Sequence, residues 1–296
     1  MIKHPLVSIL MTAYNREKYI GEAIESVLAS SYKNFELIIV DDCSKDSTVT
    51  IARHYESTDA RVKVYVNEKN LGDYPNRNQA ASLASGKYLK YVDSDDMIYP
   101  HGLEVMVSAM EDHSSVGLCI CSQIIQHKTQ FPILIPVNEA LKIHFFENGF
   151  LNIGPTGVII RKDVFDLLTG FTGKRMVGDT ELWLRIACHY PILISFPSLA
   201  FWRKHDGQEF FDGVRSGLYS EMNLKLLREL MASPDCTLTE EEKRRVLKFN
   251  AALTARDIIK RLIFKREFSK MIRLNRELSL VPEDYFNGLF RLSRIK

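Results

Sequence analysis

Tyr88-Leu89-Lys90-Tyr91-Val92-Asp93-Ser94-Asp95-Asp96 is the stretch on which the fold turns. A β-type run, Tyr88 to Val92, ends abruptly in three acids separated by one serine. Carboxylates at the end of a buried strand are costly unless something positive sits there. Asp93 and Asp95 lie two apart, so in an extended segment their side chains point the same way. Two hard oxygen ligands aimed at one spot suit Mg2+ or Mn2+, ions that commonly share their sphere with substrate phosphates. A solvated acidic strand exit is the plainer reading, since a D-x-D triplet alone is common.

Outward from this run, strand and helix patterns alternate. Val7 to Met11 reads as a strand followed by a turn at Thr12-Ala13-Tyr14-Asn15. Glu17 to Ala29 carries Ile20, Ala23, Ile24, Val27 and Leu28 at helical spacing. Phe35 to Val40 is a second strand, ending in Asp41-Asp42. Lys45 to Tyr55 reads as a helix capped by Ser44. Val62–Val66, Tyr74–Ala84, Lys87–Val92, Leu103–Met110 and Val116–Ser122 continue as strand, helix, strand, helix, strand. This alternation predicts an α/β fold, a mostly parallel sheet with helices on both faces. In such sheets ligands sit at the carboxyl ends of the strands. Three of those ends, Thr12, Asp41-Asp42 and Asp93-Asp95, are polar or acidic. No G-x-G-x-x-G follows the first strand, so phosphate would be held by a metal rather than by a glycine-rich loop.

The bulk composition is that of an ordinary globular chain of 296 residues with formal charge +2, which gives no general affinity for nucleic acid. Met1 to Pro5 leads straight into the first strand, so no signal peptide is expected, and no run of 18 apolar residues is present. Five scattered cysteines without a C-x-x-C pair argue for a reduced, cytoplasmic setting rather than disulfides or zinc.

Residues 123–150 show no regular pattern. Gly157–Ile160 reads as a strand, Asp163–Leu168 and Thr180–His189 as helices, and Ile192–Phe196 and Leu199–Trp202 as short strands. Beyond Val214 the chain reads as helical, with Leu218, Met222, Leu226, Leu227 and Leu230 on one face and a capping box at Thr239 and Glu242. Residues 240–296 hold 15 Lys/Arg against 8 Asp/Glu, a surplus of seven positive charges that leaves the rest of the chain with five net negative ones. Composition shifts near Pro234-Asp235. The expected division is a catalytic domain over 1–213 and a basic helical region over 214–296.

With these stretches in order, the chain resembles the family 2 glycosyltransferases of the GT-A fold, over roughly residues 5 to 207. The resemblance rests on Val7-Ser8-Ile9-Leu10-Met11-Thr12-Ala13-Tyr14-Asn15, Leu37-Ile38-Ile39-Val40-Asp41-Asp42-Cys43-Ser44, the run from Ala84 to Asp96, and Gly178-Asp179-Thr180-Glu181-Leu182-Trp183-Leu184-Arg185. It implies an inverting enzyme that takes a nucleotide-diphosphate sugar, UDP-linked by family frequency, as donor. The acceptor would be a glycan or lipid-linked hydroxyl in polysaccharide biosynthesis. Thr12, Ala13 and Tyr14 would cup the nucleobase and Asp42 would contact it, Asp41 being more structural. Arg77, reached through the Asn70-Leu71-Gly72 loop, would support the nucleotide together with Ser94. Asp93 would reach the ribose or the metal, Asp95 would bind Mn2+ or Mg2+ directly, and His205 would complete the metal sphere or contact the diphosphate. Asp96 would cap the following turn, and Arg203 would neutralise phosphate or serve the structure. Asp179 takes the position of the catalytic base. The usual pair there is Glu-Asp, and this chain has Gly178-Asp179; Glu181 is the competing candidate, facing another side of the helix. Gly154-Pro155-Thr156-Gly157 would lie near the acceptor.

The tail mixes Lys260, Arg261, Lys265 and Arg266 with Phe249, Leu253, Ile259, Leu262 and Ile263. Such a helix suits an anionic membrane surface, a second subunit or packing on the chain itself. Two other functions stay open on sequence alone: a non-catalytic nucleotide-sugar-binding protein in a glycan-assembly complex, and a sugar nucleotidyltransferase.

Overall fold

The computed structural model describes residues 4–122, 129–205, 208–265 and 268–290. The first part alternates as the apolar spacing requires: β1 Val7–Ala13, α1 Ile20–Leu28, β2 Phe35–Asp41, α2 Thr48–Thr58, β3 Val62–Val66, α3 Asp73–Ser82 and β4 Tyr88–Tyr91. Then come β5 Met97–Ile98, α4 Gly102–Asp112, β6 Leu118–Ser122, β7 Ile133–Ile135, α5 Val137–Ile143 and β8 Val158–Arg161. α6 Lys162–Leu167, α7 Gly178–His189, β9 Ile192–Pro197 and β10 Ala200–Phe201 follow. The last helices are α8 Glu209–Ser216, α9 Leu218–Ala232, α10 Glu240–Lys265, α11 Phe268–Glu277 and α12 Pro282–Phe290.

Eight strands form one sheet in the order β3-β2-β1-β4-β8-β6-β9-β7, and β5 pairs with β10 in a small antiparallel ribbon. β1 runs parallel to β2 and β4, β2 to β3, and β6 to β9; β8 lies antiparallel between β4 and β6, and β7 lies antiparallel at the edge. The expected mostly parallel α/β sheet is therefore present. Its central strands are apolar at consecutive positions because both faces are covered: Ile9, Leu10, Met11, Leu37, Ile38, Ile39 and Leu89 are all buried. α1 turns Ile20, Ala23, Ile24 and Val27 inward, one stripe at helical spacing. Gly86 enters β4 where a side chain has no room; a Cβ there would lie 2.5 Å from the Ser8 nitrogen and 2.8 Å from the Leu6 oxygen.

Within this pattern several expectations shift. Ser44 does not cap α2, which starts at Thr48; its hydroxyl donates to Asp41 instead, at 2.5 Å. The irregular stretch 123–150 contains β7, α5 and one π-helical turn, His144–Asn148, with residues 123–128 outside the described set. All three elements were too brief to leave a periodic signal.

The chain divides into two compact units. One comprises Met1–Ala140, Phe150–Gly173 and Gly178–Lys204; the other comprises Leu141–Gly149, Lys174–Val177 and His205–Lys296. The second unit is helical. Its core gathers Leu224, Ala251, Ala255, Ile258, Leu274, Leu278 and Leu280, with Tyr285 packed against them. Thr239 and Glu242 form the expected capping box: the Glu242 carboxylate accepts the Thr239 N–H at 2.8 Å, and the Thr239 hydroxyl accepts the Glu242 N–H at 3.3 Å. Helix α10 turns its small residues inward. Val246, Ala251, Ala252, Ala255 and Ile258 are buried, while Ile263 is exposed, because small residues allow the close approach of α12, where Gly288 meets the Ala252 carbonyl. Arg266, part of the tail's basic run, lies outside the described residues. Among the described residues no helix is long and apolar enough to cross a membrane. No disulfide joins the five cysteines, all of which lie among the described residues.

Candidate active site

Parallel pairing brings the ends of β1, β2 and β4 to one edge. Ala13 stands beside Asp41, and Leu10 beside Tyr91, so the residues just past each strand share that edge. Thr12 and Ala13 close β1, with Thr12 half-buried, Ala13 buried and Tyr14 exposed beyond them. The chain turns at Asn15, whose φ of 53° suits an asparagine better than most side chains. The turn is locked when Asn15 Oδ1 accepts the Lys45 N–H at 2.8 Å.

The acids at the end of β2 are committed to the scaffold. Asp41 is fully buried and accepts the Ser44 N–H at 2.8 Å. Asp42 is buried as well; it accepts the N–H groups of Leu71 (2.8 Å) and Gly72 (2.9 Å) and the Asn67 amide (2.8 Å). Asp42 thus holds the Asn70-Leu71-Gly72 loop that leads into α3. Gly72 has φ +87°, a conformation open to glycine, and it launches the helix carrying Arg77.

Arg77 is buried and bound on two sides. Its Nε meets Asp73 at 2.8 Å and its Nη1 meets Asp93 at 2.7 Å. Those carboxylates hold the guanidinium well above its usual range despite burial, which acts the other way. A solvated helix arginine is therefore excluded. Asp95 faces a different cation: Arg16 Nε lies 3.1 Å from its Oδ2, and Arg16 Nη1 also donates to the Tyr14 and Asn15 carbonyls. Ser94, between the two acids, is buried.

Asp96 does not cap the next turn. It is buried and accepts the Arg203 backbone N–H at 3.1 Å. Burial, and then the negative charge of Asp93, push its carboxyl well above the usual range, with Asp95 adding to the effect. Arg203 braces the same turn, donating from Nε to the Asp95 carbonyl at 3.0 Å and pairing with Glu22. The Pro155–Gly157 turn also grips the acidic run: the Thr156 hydroxyl accepts the Asp93 N–H at 3.0 Å, and the Thr156 carbonyl accepts from Lys90 Nζ. Lys90 is fully buried, and burial lowers its amine to about 8.

Asp179 opens α7. Its carboxylate accepts the Thr180 N–H at 2.7 Å. Burial raises its carboxyl to about 6; Arg77 draws it down, while Asp73 and Asp93 push it up. Asp179 therefore lies in the field of the same arginine that holds Asp93. Glu181 is buried and paired with Arg185 at 2.9 Å, which leaves Asp179 as the base candidate at this helix start.

Asp93 and Asp95 offer hard oxygen donors, and their negative charge, which adds to burial in raising Asp96, is one a hard divalent cation relieves. His205 belongs to the second unit and is half-buried, its N–H donating to Gln208 Oε1 at 3.2 Å. Among the described residues no three His, Cys, Asp or Glu side chains come together as a ready-made metal cage. Arg16, Tyr74 and Lys90 were not singled out as site residues on sequence, and Thr156 was named only in a loop near the acceptor. Lys90 left the clearest signal, a charge inside an apolar strand.

The glycosyl transferase family 2 model matches residues 8–168, more than half of the chain, and the chain belongs to that family. It is 41% identical over 194 residues to EpsE of Bacillus subtilis (strain 168), whose name describes a glycosyltransferase. That match takes in 61% of this chain and 66% of EpsE, so this chain spans just under two thirds of that relative. S. aureus TarS 1-349 in complex with UDP-GlcNAc has a similar fold, with TM-score 0.63 and 22% identity over 98% of this chain and 81% of that one. The mannosyltransferase PcManGT from Pyrobaculum calidifontis, in complex with GDP-Man and Mn2+, has TM-score 0.62 and 14% identity over 99% of this chain and 85% of its own. At these identities the two structures establish the GT-A fold.

Proposed function

We propose that the chain transfers a sugar from a nucleotide-diphosphate sugar to an acceptor hydroxyl with inversion at the anomeric carbon. The observation that carries this reading is the single arginine field around Arg77: it neutralises Asp93 on the donor side and reaches Asp179, a carboxylate raised to about 6. A base with that value is ionised at neutral pH yet basic enough to accept a proton. The acceptor oxygen attacks the anomeric carbon, the bond from that carbon to the diphosphate oxygen breaks, and the nucleoside diphosphate leaves with the electron pair. Asp179 takes the acceptor's proton. Thr12, Ala13 and exposed Tyr14 receive the nucleobase, and Asp42 holds the loop beside it. Asp95 and Asp93 would hold Mn2+ or Mg2+, which when bound stabilises negative charge on the departing diphosphate.

UDP is the proposed carrier and a hexose or N-acetylhexosamine the proposed sugar, supported by the fold shared with a UDP-GlcNAc-bound neighbour. The acceptor class is a glycan or lipid-linked glycan of polysaccharide biosynthesis. The positive surplus of the tail supports peripheral contact with the cytoplasmic face of a membrane, or contact with a second copy.

The test is nucleoside diphosphate release from the UDP conjugates of glucose, galactose, N-acetylglucosamine and N-acetylgalactosamine and from GDP-mannose, with Mn2+. Release from one of them, with or without added acceptor, supports the transferase. Pyrophosphate-dependent exchange without release, or tight binding with no release from any of them, contradicts it.

A further inference from the structure

Tyr74 lies on α3 three residues before Arg77 and is buried. Its phenol reaches the start of α7, where Oη accepts the N–H of Gly178 at 3.0 Å and of Asp179 at 3.3 Å. The first N–H groups of a helix have no partner within the helix, so an oxygen fixed there sets where the helix begins. The ring is itself held, packed against Phe171 with centroids 5.3 Å apart. Gly178 leaves no slack in this contact: a Cβ on it would lie 2.6 Å from Tyr74 Cζ. Burial, and then the charge of Asp179, keep the phenol well above its usual value, so it stays neutral.

We propose that Tyr74 is a positioning residue for Asp179, fixing the start of α7 through the N–H groups of Gly178 and Asp179. Helix α3 then controls both halves of the site, because residues three apart share a helix face. Arg77 sets the donor-side acid and Tyr74 sets the base. This inference rests on the reading of Asp179 as the base. A displacement of about an ångström at a reacting group lowers the rate even where binding is untouched.

Tyr74→Phe keeps the ring and removes only the acceptor oxygen. In the full chain without nucleotide, amide hydrogen exchange at Gly178 and Asp179 should rise by about tenfold or more, while exchange in β2 stays unchanged. Unaltered exchange at both amides overturns the proposal. For turnover, the probe is UDP release from the UDP-sugar that the wild type consumes fastest. Tyr74→Phe should lower kcat by roughly tenfold and leave the affinity for UDP with Mn2+ unchanged. Because Tyr74 acts through Asp179, the Tyr74→Phe, Asp179→Asn double variant should be no slower than Asp179→Asn alone. Multiplied losses would make Tyr74 an independent structural residue and overturn the proposal. Near-normal turnover by Asp179→Asn alone would instead overturn the base assignment, with the exchange result still deciding whether Tyr74 fixes the helix start.

Discussion

Arg77 donates from Nη1 to Asp93 Oδ1 at 2.7 Å, joining helix α3 to the acidic run that follows β4. The same guanidinium is held by Asp73 from within its own helix. Arg77→Met keeps the side chain's length and leaves Asp93 without its cation. Breaking a buried pair by removing one partner costs about 3–5 kcal/mol. Asp93 is partly exposed, so the expected loss of stability is at the low end of that range. Urea denaturation of the two proteins measures it, and a loss under half a kcal/mol would show that Arg77 is not the counter-ion of this acid.

Asp95 is held by Arg16 at 3.1 Å rather than by Arg77, so the two acids can be altered separately. Asp95→Asn should remove the dependence of UDP binding on Mn2+ and keep the fold. Titration calorimetry with and without Mn2+ checks it. A metal-dependent gain equal to that of the wild type would assign the cation to other ligands.

The raised carboxyl of Asp179 sets the sign of a pH effect. Its folded value is about 6, against an ordinary 3.8, so between those values the native state holds more protons than the unfolded chain. Stability from the neutral carboxyl is present below the lower value and is lost as pH rises through 6. Asp179→Asn has no such loss. The variant should therefore gain on the wild type by about 2 kcal/mol between pH 4 and pH 7.5. Urea midpoints for both proteins at the two pH values test this; a constant difference contradicts the raised value. Turnover of the wild type should fall as pH drops below about 6, where the base is protonated.

Gly178 is required by its neighbour rather than by its backbone angles. Gly178→Ala puts a Cβ 2.6 Å from the Tyr74 ring, and overpacking of this kind costs about 1–3 kcal/mol. In a Tyr74→Ala background the same substitution should cost clearly less, because the ring is gone. Equal costs in the two backgrounds, read from thermal unfolding, would place the strain elsewhere.

Most of the sheet was readable because its central strands carry runs of consecutive apolar residues and its helices carry one apolar stripe, as in β2 and α1. The acids at the strand ends were readable for the same reason: charge following an apolar run stands out. What stayed hidden depends on contacts between distant segments. Nothing local says that Arg16 meets Asp95, 79 residues away, or that Tyr74 meets the start of α7. Asp42 and Asp96 looked alike as strand-end acids, yet one holds a loop and the other is buried under a backbone N–H. The inward face of α10 was hard to read because alanine and glycine, weak hydrophobic signals, make its contact with α12.

The catalytic assignment meets its most direct test in Asp179→Asn, with turnover and nucleotide affinity measured on the same preparation. The expected outcome is UDP affinity with Mn2+ unchanged and turnover reduced by roughly 10²–10⁴-fold, the range of a lost general base. Turnover within a few-fold of the wild type, or a loss matched by an equal loss of UDP affinity, would contradict it.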